Sequence, residues 1–422
     1  MNRVIKIFGY QFYVREFLVI FFSYLMMENI FSWLVLPIST ILLAIEKLMS
    51  LVILGTVLYH FMDLKRNEKI YIGAFLFVML RLILESVFKF GTLFQQFTLF
   101  TILFPVVFAI YIKVICRTLE LDLLDFIAKF YLGVYVLVMV IYGRGFNFSL
   151  NSVEMKDYGP FSGDTRIIHA RSIFMIIIPF LWSLSKMLRS FKIKYLLVFL
   201  FCLTVILVHQ HRSVWASTIF ATLIFMFMGV RNNVLHLPKA INLIILTLIA
   251  FIITILVLSS IAPNVISTFT DRFSEILDPN REGGTGHFRA QQREAYFKLF
   301  LQRPVFGWTF DGFDMPNPLV DWWPPKSGQH FHEGYIEMLF YHGVAGIVLK
   351  YWILIYLAFK AFSKKLNQEA VVLISFCTSG LIFSFSYVLP LIFWGHVGLC
   401  LYYLEKDEDI VDAAEVKELE IT

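Results

Sequence analysis

The sequence predicts an all-α polytopic membrane protein with about 12 transmembrane helices and a large, partly helical lid between spans nine and ten. Of the 422 residues, 59% are hydrophobic and only 16% are charged, whereas soluble domains are about half apolar and a quarter charged. Twelve apolar segments are long enough to cross a bilayer, and basic residues collect in alternate connections. This composition excludes soluble disulfide-rich scaffolds, coiled coils, disordered chains and nucleic-acid binders.

The apolar segments are interpreted as transmembrane helices because about 20 residues cross the hydrocarbon core. The clearest is 240–262, which is uncharged. The others are 17–44, 48–62, 70–90, 97–115, 127–142, 168–185, 195–211, 213–230, 335–361, 370–385 and 387–404. Two segments contain charges, Glu28 in one and Arg81 with Glu85 in the other, and such charges are costly and often functional. Arg81 and Glu85 either pair at i, i+4 or belong to a proton or ion pathway.

Basic residues set the predicted orientation. They are Arg3, Lys6, Arg15, Lys65, Arg66, Lys69, Lys113, Arg117, Lys186, Arg189, Lys192, Lys194, Arg231, Lys239, Lys364 and Lys365. With twelve spans they all fall on one side, together with residues 405–422, which carry a net charge of −6 against +11 for the rest. The positive-inside rule makes that side cytoplasmic, so both termini are cytoplasmic. The first apolar run lacks a small-residue cleavage site, so no signal peptide is predicted.

This pattern divides the chain into four regions. They are a transmembrane bundle of spans one to nine at 1–262 with an outer loop at 143–167, a lid at 263–333, spans ten to twelve at 334–404 and an acidic cytoplasmic tail at 405–422. Connections longer than about 15 residues are usually functional or disordered. Within the lid, the spacing predicts an amphipathic helix over 286–302 that is closed by Pro304 and Gly307. We therefore expect a folded lid over the outer face.

Several residues that often carry chemistry are predicted to be structural. The four cysteines, Cys116, Cys202, Cys377 and Cys400, lie in or beside apolar runs and are too scattered for a metal site or a disulfide framework. We expect small, buried side chains. His396, near the end of the last span, is expected to be a packed polar residue.

The first group that could carry chemistry contains Arg212, in the sequence HQHRSVWAS between spans seven and eight. Arginine binds phosphate oxygens through two parallel hydrogen bonds, so a cation at headgroup depth suits a phosphate group. The alternative is an interfacial arginine whose stem packs on apolar surface.

The second group lies on the predicted lid helix, in the sequence GTGHFRAQQREAYFKLFLQRPVFGW. Arg289 and Arg293 share one helical face at i, i+4, where like charges repel unless an anion sits on that face. Tyr296 continues the same stripe. The alternative is a solvated basic face.

The third group closes the lid, in the sequence SGQHFHEGYIEMLFYHGVAGIVLKY. His330 and His332 offer imidazoles that accept a proton near pH 7, and Glu337 lies just beyond one helical turn as an orienting partner. Gly343 and Gly346 allow close helix packing. The H-x-H spacing also permits metal binding, but no third ligand is obvious, and a purely structural His332 is the remaining alternative.

These three groups, in this order, resemble the O-antigen ligase and polysaccharide polymerase family of bacterial envelope proteins. The family has an Arg between two central spans, a lid with G-x-R, an aromatic residue and P-x-x-G, and a closing H-x-H-N followed by Glu and G-x-x-G. The matching positions here, within about residues 200–350, are Arg212, Arg289, Pro304–Gly307, His332, Glu337 and Gly343–Gly346. Two positions depart from the family pattern. Glu333 stands where the family usually has Asn, and the motif around Arg212 reads HQHRS, whereas the family more commonly has a small polar residue before this Arg.

The resemblance implies an integral-membrane glycosyltransferase of the GT-C type in the bacterial inner membrane, with a periplasmic lid and active site. Its donor would be a glycan on undecaprenyl diphosphate. Arg212 and Arg289, joined by Arg293, would hold the diphosphate and offset charge on the leaving group, while His332 acts as base for the acceptor hydroxyl, which attacks C1 with inversion. Supporting roles fall to His330, Glu337 and Tyr296. No metal and no cofactor are expected.

Two activities of the family share this chemistry. A polymerase transfers the growing chain to another lipid-linked repeat unit, and a ligase transfers the finished chain to lipid A–core. We favour polymerisation of O-antigen, capsule or exopolysaccharide repeat units because polymerases are numerous and divergent, although the H-x-H spacing is more typical of a ligase. Trp308, Trp322 and Trp323 would stack on sugars or anchor the lid at the membrane interface.

The expected partners are the lipid-linked glycan donor, a glycan or lipid A–core acceptor and membrane lipids. A chain-length regulator and a flippase are further candidates, and no nucleic acid is expected. A transporter or flippase of lipid-linked oligosaccharide is the alternative function, and an assembly scaffold is the third. Because the polar residues concentrate in one lid, the sequence favours an enzyme.

Overall fold

The computed structural model describes residues 4–7, 10–13, 39–142, 170–209, 211–235, 285–324 and 326–421, with single helical positions between 238 and 260. Side chains are described at 48–137, 140, 170–207, 209, 211–235, 287–324 and 326–406, and at a few positions between 238 and 260. The predicted outer loop 143–167, most of the apolar segments 17–44 and 240–262, Glu28 and all lid residues from 263 to 284 lie outside the described residues.

Helices make up almost all of the described chain, because a helix satisfies its backbone hydrogen bonds internally where water is absent. In the first half they are α1 (Ser39–Tyr59), α2 (Arg66–Phe90), α3 (Thr98–Thr101), α4 (Pro105–Leu119), α5 (Leu124–Tyr142), α6 (Ala170–Met175), α7 (Ile177–Arg189) and α8 (Ile193–Val208). In the second half they are α9 (Arg212–Arg231), α10 (Thr285–Phe300), α11 (Thr309–Asp314), α12 (Gly334–Ser363), α13 (Gln368–Phe383) and α14 (Leu391–Ile421). The helix predicted over 286–302 is therefore present as α10.

A short hairpin near the N-terminus is the exception to the predicted all-α class. Strands β1 (Val4–Ile7) and β2 (Tyr10–Tyr13) pair antiparallel, with Val4 opposite Tyr13. Their β-branched and aromatic residues suit strands. Apart from this hairpin, the secondary structure of the described residues is helical, as predicted.

Four helical segments of the described chain are long and apolar enough to cross a membrane, judged by length and composition. They are α2, α6 with α7, α9 and α12. They coincide with the predicted spans 70–90, 168–185, 213–230 and 335–361. The chain is thus a multi-pass α-helical membrane protein, and a total of twelve spans stays a prediction.

Helices α4, α13 and α14 form the centre of the bundle. Helix α14 packs along α4 and against α13, which also packs on α9. Trp394, Phe376 and Phe108 are fully buried there. His396 is the packed polar residue that the sequence predicts, because it is buried and its Nε2 lies 2.8 Å from the hydroxyl of Tyr131. The four cysteines are buried and form no disulfide, also as predicted.

Ion pairs hold the helices together at the end of the bundle where α2 begins. We call this group of residues the lysine cluster (Lys65, Lys113, Lys360, Glu68 and Glu405). Lys113 Nζ lies 2.7 Å from the Glu405 carboxylate and also contacts Glu68. The Nζ atoms of Lys65 and Lys360 lie 3.3 and 3.9 Å from Glu405. Lys113 is only 2% exposed, and a buried cation needs such acids around it. The cluster ties together the ends of α2, α4, α12 and α14.

At the opposite end of the bundle, the described part of the predicted lid packs against a kink in α12. Gly343 has φ +62° and ψ −156°, so the helix is interrupted there. The backbone N–H groups of Val344 and Ala345 donate to the carbonyls of Pro304 (2.9 Å) and Val305 (3.0 Å) in the lid. A Cβ at Gly343 would lie 2.5 Å from both carbonyl oxygens, so this approach requires glycine. Gly343 therefore allows close packing, as predicted, but against the lid rather than another helix.

Charges on α2 also attach the lid at this end. Arg81 and Glu85 pair at 3.3 Å, as one of the two sequence interpretations predicts. Glu85 also accepts a hydrogen bond from the hydroxyl of Thr309 (3.0 Å), and Lys89 pairs with Asp311 (2.7 Å). These contacts give Arg81 and Glu85 a structural role in holding the lid.

Candidate functional site

One face of α10 holds the irregular segment 329–333 in front of α12. Tyr296 donates its hydroxyl hydrogen to Gln329 Oε1 (2.7 Å). The amide of Gln292 makes two hydrogen bonds: its Nε2 donates to the carbonyl of His330 (2.8 Å), and its Oε1 accepts from the backbone N–H of His332 (3.2 Å). The predicted lid helix thus positions both predicted histidines through their backbone.

The side chains of the two histidines lie together. The ring centroids of His330 and His332 are 4.9 Å apart, edge to face. Burial, then the charges of His330, Arg289 and Arg171, lower the pKa of His332 to about 4. Burial and Arg171 also lower the pKa of His330. Both imidazoles are therefore neutral at pH 7, which is the state that accepts a proton. We call His330, His332, Arg289 and Arg171 the histidine cluster.

The guanidinium of Arg289 lies 5.1 Å from the centroid of the Tyr387 ring, a cation–π contact. Its charge acts on His332. Within the part of the chain that the structure describes, no carboxylate pairs with Arg289. Its hydrogen-bonding fork is therefore suited to an anion beside His332.

Arg293 has a different partner from the predicted diphosphate. Its Nε and Nη2 donate to the two carboxylate oxygens of Glu333, at 3.0 and 2.5 Å. Glu333 is only 2% exposed, so the pair neutralises a buried carboxylate. Glu333 thus occupies the Nε and Nη2 edge of the Arg293 guanidinium, and a contact of Arg293 with a diphosphate stays a prediction. The pair also gives Glu333, the departure from the family pattern, a defined contact.

Arg212 is the first residue of α9 and is half-buried. At the far end of the same helix, Arg231 Nη1 donates to the carbonyl of Ala361 near the end of α12 (2.9 Å). Helices α9 and α12 therefore begin at the same end of the bundle, which also carries His332. The two histidines before Arg212 are buried, and their rings stack at 6.3 Å. Direct cooperation of Arg212 with Arg289 stays a prediction.

The Glu337 carboxylate lies 3.7 Å from Lys350 Nζ. Its predicted orienting contact to His332 stays a prediction, while Gln292 binds the backbone N–H of His332. Because Gly343 interrupts α12, Lys350 is brought back towards the first turn of the helix. Glu337, Lys350 and Arg171 all line a cavity of about 220 Å³.

Tyr296 supports the site by packing rather than by facing it. It is buried, and its ring meets Phe331 and Phe340 at 4.6 and 4.9 Å. Burial raises its pKa, so the hydroxyl remains a hydrogen-bond donor.

The three lid tryptophans are in different positions. Trp308 donates its indole N–H to the carbonyl of Leu299 (2.8 Å) and is structural. Trp323 packs on His330 at 5.6 Å. Trp322 is 75% exposed and is free to meet a sugar or the membrane surface.

Sequence reasoning missed Arg171 and Gln292. Arg171 follows the outer loop at the start of α6, and the argument that singled out Arg212, a cation on the side where orientation does not require one, applies to it equally. Gln292 has no such signal, because its role depends on a backbone 40 residues away. Among the described residues, no group of three His, Cys, Asp or Glu side chains could hold a metal, so His330 and His332 gain no third ligand there.

Comparison with known proteins supports the arrangement of these motifs. Residues 197–351 match the family model described as O-antigen ligase. This segment contains Arg212, α10, the histidine cluster except Arg171, and the kink at Gly343. No curated protein matches the chain at a significant level. The resemblance predicted from the sequence to the O-antigen ligase and polysaccharide polymerase family is confirmed for this segment.

Proposed function

We propose that this protein is an inverting, metal-independent glycosyltransferase that moves a glycan from undecaprenyl diphosphate to an acceptor hydroxyl. The match of residues 197–351 to the O-antigen ligase family model supports glycan transfer of the O-antigen ligase or polymerase type. The observation that carries the proposal for this chain is a neutral imidazole, His332, beside the cation of Arg289. A proton acceptor next to an anion-binding group is what transfer from a diphosphate requires.

In the proposed step, the acceptor oxygen attacks C1 of the donor sugar and its proton passes to the imidazole of His332. The bond between C1 and the diphosphate oxygen breaks, and its electron pair leaves with the diphosphate. Arg289 and Arg212 hold this group and offset the charge that grows on it, which is worth about 100- to 1000-fold in rate for one donor group. Inversion follows because the attacking and leaving oxygens lie on opposite faces of C1.

The site is proposed to face the periplasm from the bacterial inner membrane, with both termini in the cytoplasm. The lysine cluster then lies at the cytoplasmic end, in agreement with the positive-inside rule. The described lid residues, 285–324 and 326–333, lie at the opposite end, where a lipid-linked glycan and its acceptor would meet.

Polymerisation of O-antigen, capsule or exopolysaccharide repeat units is the first proposed activity. Ligation to lipid A–core is the second, and the H-x-H spacing and the description of the matching family favour it. Both use the same donor and the same step, and they differ only in the acceptor. A chain-length regulator and a flippase are proposed partners of the polymerase.

Incubation of the purified full-length protein with lipid-linked repeat units, with and without lipid A–core, tests the proposal. Ladders of product on the carrier lipid identify a polymerase, and transfer to core alone identifies a ligase. No transfer to either acceptor contradicts the proposal and favours a transporter of lipid-linked oligosaccharide, which vesicle uptake of the same substrate would detect.

A further inference from the structure

We propose that Gln292 is a positioning residue for glycan transfer, which holds His332 at the reacting centre by clamping the backbone on both sides of Phe331. The proposal rests on the proposed function of His332. Gln292 is only 2% exposed and lies on the face of α10 that meets the segment before α12. Its position has no counterpart among the motifs that carry the family resemblance.

The geometry of the clamp is specific. The Gln292 side chain donates to the carbonyl of His330 at 2.8 Å and accepts from the N–H of His332 at 3.2 Å. One amide thus satisfies both backbone groups, much as a neighbouring strand would. The segment has no regular secondary structure of its own, so its path depends on such contacts.

Among the described residues, the other hydrogen bonds between α10 and this segment do not hold the two histidines, so that role falls to Gln292. Tyr296 binds Gln329 before the histidines, and Arg293 binds Glu333 after them. These contacts attach the two ends of the segment to α10. The amide of Gln292 acts between them and directly on the residues that carry the imidazoles. Losing it frees His332 while the flanking contacts keep the lid in place.

Displacement by about 1 Å at a reacting centre costs about 100-fold in rate. We therefore expect Q292M, which removes both hydrogen bonds at similar side-chain volume, to lower kcat by roughly 10- to 100-fold. KM for the lipid-linked donor should stay within about twofold, because the arginines that bind it are untouched. Q292E keeps an acceptor for the His332 N–H but loses the donor to the His330 carbonyl, so its kcat should lie between wild type and Q292M. Q291M makes the same kind of change at the adjacent exposed position and should match wild type.

The pH profile separates positioning from a general loss of structure. Burial is the largest cause of the low pKa of His332, so a freed imidazole should regain water and a pKa nearer its usual range. The acidic limb of kcat/KM should therefore move to higher pH in Q292M. The charged and titratable groups that face His332 are unchanged in this variant. They are His330 on its own segment, Arg289 on α10 and Arg171 on α6.

A second measurement does not depend on transfer. Diethyl pyrocarbonate modifies neutral histidine, and mass spectrometry of the peptide containing His332 gives the midpoint of its titration in the full-length protein. We expect a midpoint near pH 4 for wild type and Q291M, and a higher midpoint for Q292M.

The outcomes are distinct. The positioning role is supported if Q292M has a lower kcat with an unchanged KM and the acidic limb of its kcat/KM profile lies at higher pH. A Q292M variant with wild-type kcat and limb, or one that loses only donor binding, overturns it. If wild type transfers no glycan, the proposed function fails. The titration of His332 then decides the clamp by itself, and identical midpoints in Q292M and Q291M overturn it.

Discussion

Cations cluster at both ends of the bundle, but the groups that surround them differ. In the lysine cluster, Lys113 contacts two carboxylates directly, and the other two lysines share one of them. In the histidine cluster, Arg289 faces the ring of Tyr387 and neutral imidazoles. Helix α2, with 25 residues, runs between these ends and spans about 37 Å at 1.5 Å per residue. Compensated charge braces a bundle, whereas a cation beside a neutral base can bind an anion and support chemistry.

The largest expected effect is on transfer at the histidine cluster. H332A removes the proton acceptor and should lower the rate by about 100- to 10,000-fold. R289A removes one charge-stabilising donor and should lower it by about 100- to 1000-fold. Membrane insertion should be unchanged, because neither side chain forms an ion pair within the described residues. Transfer assays on purified protein check this, with H287A on the same lid helix as the control. Wild-type transfer by H332A would remove the proposed base.

The next largest effect is on stability at the lysine cluster. K113M leaves the carboxylates of Glu68 and Glu405 buried without their shared ammonium, which should cost about 3 kcal/mol. Thermal unfolding in detergent should show this loss, and E405Q added to K113M should recover part of it. K194M, an exposed lysine at the same end, is the control. Equal unfolding temperatures for K113M and K194M would show that the lysine cluster does not stabilise the bundle.

A smaller effect is expected for the pair that joins the lid helix to the segment beyond His332. R293A leaves the buried Glu333 carboxylate without its partner and should cost about 2 kcal/mol, since the guanidinium is half exposed. E333Q removes the charge with its hydrogen-bonding shape retained and should cost less. Limited proteolysis of the lid measures both. The reverse order, with E333Q the more damaging, would contradict the assignment of this pair as structural.

The sequence predicted the residue types of the site better than their contacts. The sequence predicted that His330, His332 and Arg289 lie at one end of the bundle, because the topology and the lid helix follow from hydropathy and residue spacing. It could not separate Arg289 from Arg293, which lie one turn apart on α10, because only the path of the segment 40 residues later gives Arg293 its carboxylate. The contact between Glu337 and Lys350 depends in the same way on the kink at Gly343.

The pH dependence of glycan transfer should show how the histidine cluster differs from the lysine cluster. Burial and positive neighbours disfavour the protonated imidazole of His332 and lower its pKa to about 4. Transfer should therefore be constant between about pH 5 and 7 and fall as the pH drops through 4. R171M removes one of these cations, so the fall should begin at higher pH. If the transfer rate of the wild-type protein instead falls near the ordinary histidine pKa of about 6.5, His332 is not buried beside these cations.

The smallest effect is expected for charges that attach the lid to α2. Lys89 and Asp311 are paired, like the lysine cluster, but each side chain is 39% exposed. Exposed ion pairs contribute about 0 to 1 kcal/mol. K89M should therefore change the unfolding temperature and transfer only slightly. A loss as large as that of K113M would show that exposure does not separate the two groups of charges.

The central claim is tested most directly by measuring glycan transfer and thermal unfolding on the same preparations of wild type, R289A and K113M. Loss of transfer with a wild-type unfolding temperature is expected for R289A. A lowered unfolding temperature with wild-type transfer per folded molecule is expected for K113M. If R289A transfers glycan at the wild-type rate while K113M, still folded, does not, the histidine cluster is not the site of transfer.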